Sequence, residues 1–241
     1  MTAPDIRIFG SDELAATAAE QIAAHISAVI AERGCCRVGL AGGATPKPVY
    51  EKLAALSVAW DEVKLLWGDE RCVPPEHDDS NYKMAHAALL GRVAIPAENV
   101  HRIAGELPQN EAARAYAAVL GAEPIDILLL GMGDDGHTAS LFPGRADLSS
   151  SERVIAATSP LAPHDRVTLT IRAINESRAV YFLISGADKA EPLAEVQTQI
   201  ERGEPVLPAA HVQPASGRLI WMIDRAAANN LKRPNHKGID A

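Results

Sequence analysis

Five short runs in this chain are apolar on consecutive positions rather than alternate ones: CRVGLAG (36–42), VKLLWGDE (63–70), IDILLLG (125–131), AVYFLIS (179–185) and RLIWMID (218–224). Successive side chains of a strand point to opposite faces, so strands of this kind are apolar on both. A largely parallel sheet with helices over each face accommodates several of them at once.

The intervening segments supply those helices. Leu14, Ala18, Ile22, Ile26 and Ile30 recur at helical spacing behind a start at Ser11–Glu13, and Gly34 ends the pattern. KPVYEKLAAL (47–56), SNYKMAHAALL (80–90, with Ser80 as N-cap), NEAARAYAAVLG (110–121) and ADKAEPLAEVQTQIERG (187–203) also read as helices. Pro192 leaves the start of the last one open. IRIF (6–9) reads as a first strand, and RVTLTI (166–171) alternates as an antiparallel edge strand would. Linkers, repeats and low-complexity tracts are missing. The expectation is one α/β domain over 1–241: a mostly parallel central sheet, helices on both faces, antiparallel strands at the edges, and a polar tail frayed from about residue 231.

Ligands of open parallel sheets bind beyond the carboxyl ends of the strands. Three loops leave those ends. In LAGGATPKPVY (40–50), Gly42 and Gly43 let backbone approach an anion, Thr45 adds a hydroxyl, and Pro46 suits a first helical position. This is a phosphate cradle or a plain tight turn; it is neither a Walker A loop nor GxGxxG. In WGDERCVPPEHDDSNY (67–82), Asp69, Glu70 and Arg71 form either a solvated charge run or a site with Arg71 facing a ligand, and Pro74–Pro75 hold the residues after them extended. In GMGDDGHTASLFPG (131–144), three glycines permit a sharp turn, a short helix starts near Asp135, and His137 stands beside Asp134 and Asp135. A histidine so placed is a general base or a surface side chain in a glycine turn. The acid spacing of a calcium loop is missing there. Lys189, at a helix start where a cation opposes the dipole, is either a partner for a bound phosphate or a solvated lysine. Arg166 and Arg172 flank the alternating strand, and Arg166 is the one placed to reach a ligand.

The totals narrow the function. Thirty-one acids against 23 bases leave a formal net charge of −8, which disfavours nucleic acid and anionic membranes as partners. The three cysteines (Cys35, Cys36, Cys72) make no CxxC pair, arguing against a disulfide framework or structural zinc. The N-terminal residues have no signal-peptide pattern, so a soluble cytoplasmic protein is expected. No GxSxG or HExxH motif is present. A phosphate cradle, extra cations and one base backed by acids suit metal-free chemistry on a small phosphorylated metabolite.

These segments resemble the 6-phosphogluconolactonase family. LAGGATPKPVYEKLA, WGDERCVPPEHDDSNYKMAHAALL, IPAENVHRI, DILLLGMGDDGHTASLFPG, RVTLTIRAINESRAVYFLISGADKAE and LPAAHV occur in the family's order over roughly residues 38–212. The resemblance implies a Rossmann-like α/β fold, hydrolysis of 6-phospho-D-glucono-1,5-lactone and no cofactor. It casts His137, Asp135 and Arg71 as catalytic, and Gly42, Gly43, Thr45, Lys189 and Arg166 as substrate- and phosphate-binding residues. A sugar-phosphate lactone is the implied partner, and a monomer or small homo-oligomer the implied assembly. The same superfamily contains glucosamine-6-phosphate deaminases, whose pattern after the histidine is similar to IAFNEPG. Here TASLFPG puts Phe142 where the deaminase carries a proton-transferring glutamate. Ala44 stands where the lactonases often carry serine. A deaminase or isomerase and a non-catalytic sugar-phosphate sensor are the rivals. Ammonia release would mark the first and binding without turnover the second.

Overall fold

A computed structural model describes residues 5–231; the tail expected to fray lies outside these residues from 232 onward. In chain order the elements are β1 (Asp5–Phe9), α1 (Leu14–Arg33), β2 (Cys36–Leu40), α2 (Pro46–Leu53), β3 (Val63–Trp67), β4 (Asp69–Arg71), α3 (Asn81–Ala88), α4 (Gln109–Leu120), β5 (Ile127–Leu130), β6 (Val154–Thr158), β7 (Asp165–Leu169), α5 (Ile171–Asn175), β8 (Ala179–Ile184), α6 (Ala190–Arg202) and β9 (Arg218–Asp224). Six strands form one sheet in the order β1-β9-β8-β5-β2-β3, with every pairing parallel. The consecutive apolar runs are its centre: β2, β5 and β8 are buried at every position. α1 packs Leu14, Ala18, Ile22 and Ile26 into the core at the spacing read from the sequence. Burial of each large side chain of this kind contributes about 1.5–3 kcal/mol. At 20 residues α1 is long and apolar enough to cross a bilayer, but its apolar residues serve as core here.

The expected antiparallel strands exist, but as a separate three-stranded sheet, β4-β7-β6, rather than on the edge of the first. The run 63–70 is accordingly two strands and not one. β3 stops at Trp67, whose backbone N–H and carbonyl are both taken by the Tyr116 hydroxyl at 2.7 and 2.9 Å. Gly68 then bridges the sheets, donating to Leu40 O at 2.9 Å and accepting from Leu169 N at 2.8 Å. Asp69 and Glu70 have no place in a sheet apolar on both faces; beyond Gly68 they find polar partners.

Smaller differences have local causes. α1 begins at Leu14 rather than Ser11, because Glu13 N and Leu14 N both turn back to Gly10 O. Residues after Pro74 are not extended: His77 N closes a turn onto Pro74 O at 3.0 Å. Pro192 sits in the first turn of α6, where its missing N–H costs no helical bond. Ser80 caps α3 as expected, its hydroxyl accepting from Lys83 N at 3.2 Å.

The chain leaves β2 for β3 on one side and takes β5, β8 and β9 on the other, so the topological switch lies between β2 and β5. A crevice at such a point is where α/β sheets bind ligands.

Candidate active site

A cavity of about 550 Å³ opens there, beyond the carboxyl ends of β2, β3, β5 and β8. That size admits a sugar phosphate. It brings together Gly42, Gly43, Thr45, Arg71, His137, Arg166 and Lys189, seven of the eight residues that the resemblance casts as catalytic or substrate-binding. Asp135 does not line it but touches His137. Arg172 pairs instead with Glu176 at 3.0 Å.

At β2 the Tyr50 hydroxyl clamps both the N–H and the carbonyl of Ala41, at 2.8 and 2.9 Å, fixing where the Gly42–Thr45 loop departs. α2 starts at Pro46, and Thr45 makes no side-chain cap, so its hydroxyl is free to face a ligand. Among the described residues the N–H groups of Gly43, Ala44 and Thr45 donate to no other group. Gly42 is required by a close approach: a Cβ there would lie 1.9 Å from Asn81 Oδ1.

Asn81 belongs to a buried polar knot that no sequence motif announces. Its Nδ2 donates to Asp69 O at 2.9 Å, and Ser140 Oγ donates to Asp69 Oδ2 at 2.6 Å. Glu70, 2 % exposed, accepts from Arg71 N, Asn81 N, Tyr82 N and Ser80 Oγ at 2.7–3.2 Å. Burial pushes its pKa above the usual carboxylate value despite these donors. DER is therefore no solvated run: its two acids anchor the N-terminus of α3, and its arginine faces the cavity.

Arg71 and Arg166 sit directly opposite each other on the β4–β7 ladder. Arg166 is held by Pro163 O at 2.8 Å, and its pKa is lowered by burial and by the adjacent Arg71. Arg71 donates to Asp79 O, while its buried Nε has no hydrogen-bond partner among the described residues. Two neighbouring guanidinium groups lining one cavity favour an anionic ligand. Lys189 precedes α6 as its N-cap and pairs with Asp188 at 2.9 Å, so the dipole cost expected of it is offset by its own neighbour in the chain.

The helix expected near Asp135 is replaced by a tight turn. Gly133 N donates to His137 O at 2.9 Å and Gly136 N to Gly133 O at 3.2 Å. Within it Asp135 Oδ1 accepts from His137 N at 2.9 Å and lies 2.6 Å from His137 Nδ1. An ionised carboxylate only accepts, so Nδ1 carries the proton and Nε2 is left as a base. Gly133 makes room: a Cβ there would stand 2.0 Å from Nδ1. The Phe142 ring packs on the imidazole, centroids 4.8 Å apart. Ala139, another cavity residue, is held at φ 50°, a left-handed conformation costing a non-glycine residue about 1–3 kcal/mol. Strain of that kind concentrates where a loop must present groups to a ligand. Among the described residues no group of three His, Cys, Asp or Glu side chains is placed to hold a metal ion.

The profile of the family described as glucosamine-6-phosphate isomerases/6-phosphogluconolactonase matches residues 10–221. The chain is 40 % identical over 221 residues to 6-phosphogluconolactonase of Synechocystis sp., covering 88 % of this chain and 91 % of that one. It is 38 % identical to the 6-phosphogluconolactonase of Homo sapiens, covering 92 % and 94 %. The crystal structure of 6-phosphogluconolactonase from Thermotoga maritima superposes with a TM-score of 0.83 at 33 % identity, covering 92 % of this chain and 100 % of that one. A monomeric glucosamine-6-phosphate deaminase shares the fold, with a TM-score of 0.79 at 24 % identity. By profile, sequence and fold, the chain belongs to the glucosamine-6-phosphate isomerase/6-phosphogluconolactonase family.

Proposed function

We propose that this protein hydrolyses 6-phospho-D-glucono-1,5-lactone to 6-phospho-D-gluconate, the second step of the oxidative pentose phosphate pathway, with His137 as general base. The observation that carries the reading is one cavity containing both an Asp135-oriented imidazole and three cations, Arg71, Arg166 and Lys189. Lactonase relatives with 36–40 % identity over most of the chain support the choice of substrate.

His137 Nε2 takes a proton from water as its oxygen bonds to the lactone carbonyl carbon. The carbonyl oxygen becomes an oxyanion beside the guanidinium of Arg71, a cation lining the cavity. Collapse breaks the bond to the ring oxygen, which leaves with the proton held by His137. The product is a carboxylic acid, ionised at neutral pH, and a free hydroxyl. Asp135 holds the imidazole in the reactive tautomer and stabilises the imidazolium. The amides of Gly42, Gly43 and Thr45, the dipoles of α2 and α6, Lys189 and Arg166 hold the phosphate. That grip, remote from the reacting carbon, orients the ring for attack. Phe142 places a hydrocarbon ring against His137 where deamination needs a second proton carrier. Three free thiols suit a reducing, cytoplasmic setting.

A continuous assay on freshly prepared lactone, corrected for spontaneous hydrolysis, tests the reading with glucosamine 6-phosphate run beside it. Rapid lactone consumption without ammonia release is expected. Ammonia release would establish the deaminase instead, and ligand binding without turnover the sensor.

A further inference from the structure

Asp224 ends β9 and is 2 % exposed, yet among the described residues its carboxylate pairs with no cation; three protein donors engage it. Its Oδ2 accepts from Ser185 Oγ at 2.8 Å and from Gly186 N at 3.1 Å, and its Oδ1 from Ala227 N at 2.7 Å. Ser185 and Gly186 begin the turn between β8 and α6. Gly186 takes φ 109°, ψ 147°, a conformation in which a side chain is strained. Lys189 N then donates to Gly186 O at 3.1 Å, closing the turn that delivers Lys189 to the head of α6. Ser185, Asp188 and Lys189 line the cavity; Asp224 does not.

A negative charge near a site for an anion is adverse unless its lone pairs are spent elsewhere. Here they are spent on the backbone and hydroxyl that shape the cationic turn. An asparagine would point its amide hydrogens at one of these donors, so the geometry specifies a carboxylate.

We propose that Asp224 is a positioning residue for phosphate recognition: through Ser185 and Gly186 it holds the Lys189 turn and so sets the preference for a phosphorylated over an unphosphorylated lactone. This rests on the lactonase reading above. A residue serving only overall stability would affect both substrates alike.

The test uses Asp224→Asn, with Gly186→Ala as a second perturbation of the same turn, in the full chain with folding checked by circular dichroism and thermal unfolding. Both variants are assayed on 6-phospho-D-glucono-1,5-lactone and inhibited with inorganic phosphate; Asp224→Asn is also assayed on D-glucono-1,5-lactone. The expectation is a KM for the phosphorylated lactone raised about tenfold, the scale of one lost charge-assisted contact, and phosphate inhibition weakened in parallel. Its kcat stays within about threefold, and kcat/KM for the unphosphorylated lactone is unchanged in Asp224→Asn. Equal losses on both lactones, or an intact phosphorylated-substrate KM in both folded variants, overturn the positioning role. A wild-type enzyme with no preference for the phosphorylated lactone overturns the reading beneath it, and this proposal with it.

Discussion

Replacing Gly42 by alanine puts a methyl group where the Asn81 carboxamide already is. The added Cβ would lie 1.9 Å from Oδ1, 2.3 Å from Cγ and 2.7 Å from Nδ2. Ordinary contact begins near 3.4 Å, so the carboxamide must retreat by roughly 1.5 Å. It is buried and pinned, because Nδ2 donates to Asp69 O and the Asn81 backbone to Glu70. Overpacking costs about 1–3 kcal/mol. Losing the bond to Asp69 leaves buried polar groups unpaired, which costs about 1–3 kcal/mol more. Gly42→Ala is therefore expected to lose about 2–6 kcal/mol of unfolding free energy, the sum of the two. Asn81→Ala removes the obstacle, so in the double variant the glycine substitution costs little beyond the asparagine change. The assay is a double-mutant cycle by urea denaturation, with a coupling energy close to the whole single-variant loss, about 2–6 kcal/mol, expected. Additive losses would show that the glycine is needed for something other than the Asn81 approach.

Three further outcomes rest on the geometry. Asp135→Asn is expected to lower kcat by about 10–100-fold with KM nearly unchanged, because it misorients the imidazole without touching substrate; a raised KM at normal kcat would count against that role. Lys189→Ala should raise KM for the phosphorylated lactone while largely sparing kcat, and an unchanged KM would remove Lys189 from the phosphate. Glu70 has its pKa raised in the fold, so the folded state holds its proton to higher pH than the unfolded chain does. Its contribution to stability is therefore fullest at low pH and declines as pH rises from the usual carboxylate value of 4.5 toward the raised folded value. Glu70→Gln removes that decline, and denaturant titrations of both proteins from pH 4 upward should differ in slope over this window.

What could be read from the sequence was local. The His137 turn is written in Gly133 and Gly136, and the Gly42–Pro46 loop in two glycines and a proline at the head of a helix. Both come directly after apolar runs whose burial on two faces is itself a local pattern, which is why the parallel sheet was also legible. The rest depends on partners distant in the chain. The run 63–70 looks continuous until Leu169 takes the carbonyl of Gly68 and β7 pairs with Asp69–Arg71. β6 carries no such local mark: its short run is flanked by polar residues and is recognisable mainly by its pairing with β7. The polar knot joins Asp69, Asn81 and Ser140 from three separate segments, and none of the three carries a motif by itself. Asp224 lies at the end of the last strand, and only folding brings it under the Lys189 turn.

The central claim is that His137 Nε2 is the base that activates water. The direct measurement is kcat of His137→Ala on freshly prepared 6-phospho-D-glucono-1,5-lactone, with spontaneous hydrolysis subtracted and folding confirmed by circular dichroism. A fall of about 10²–10⁴-fold is expected, the contribution of a positioned general base. Turnover within a few fold of wild type in the folded variant would contradict the account.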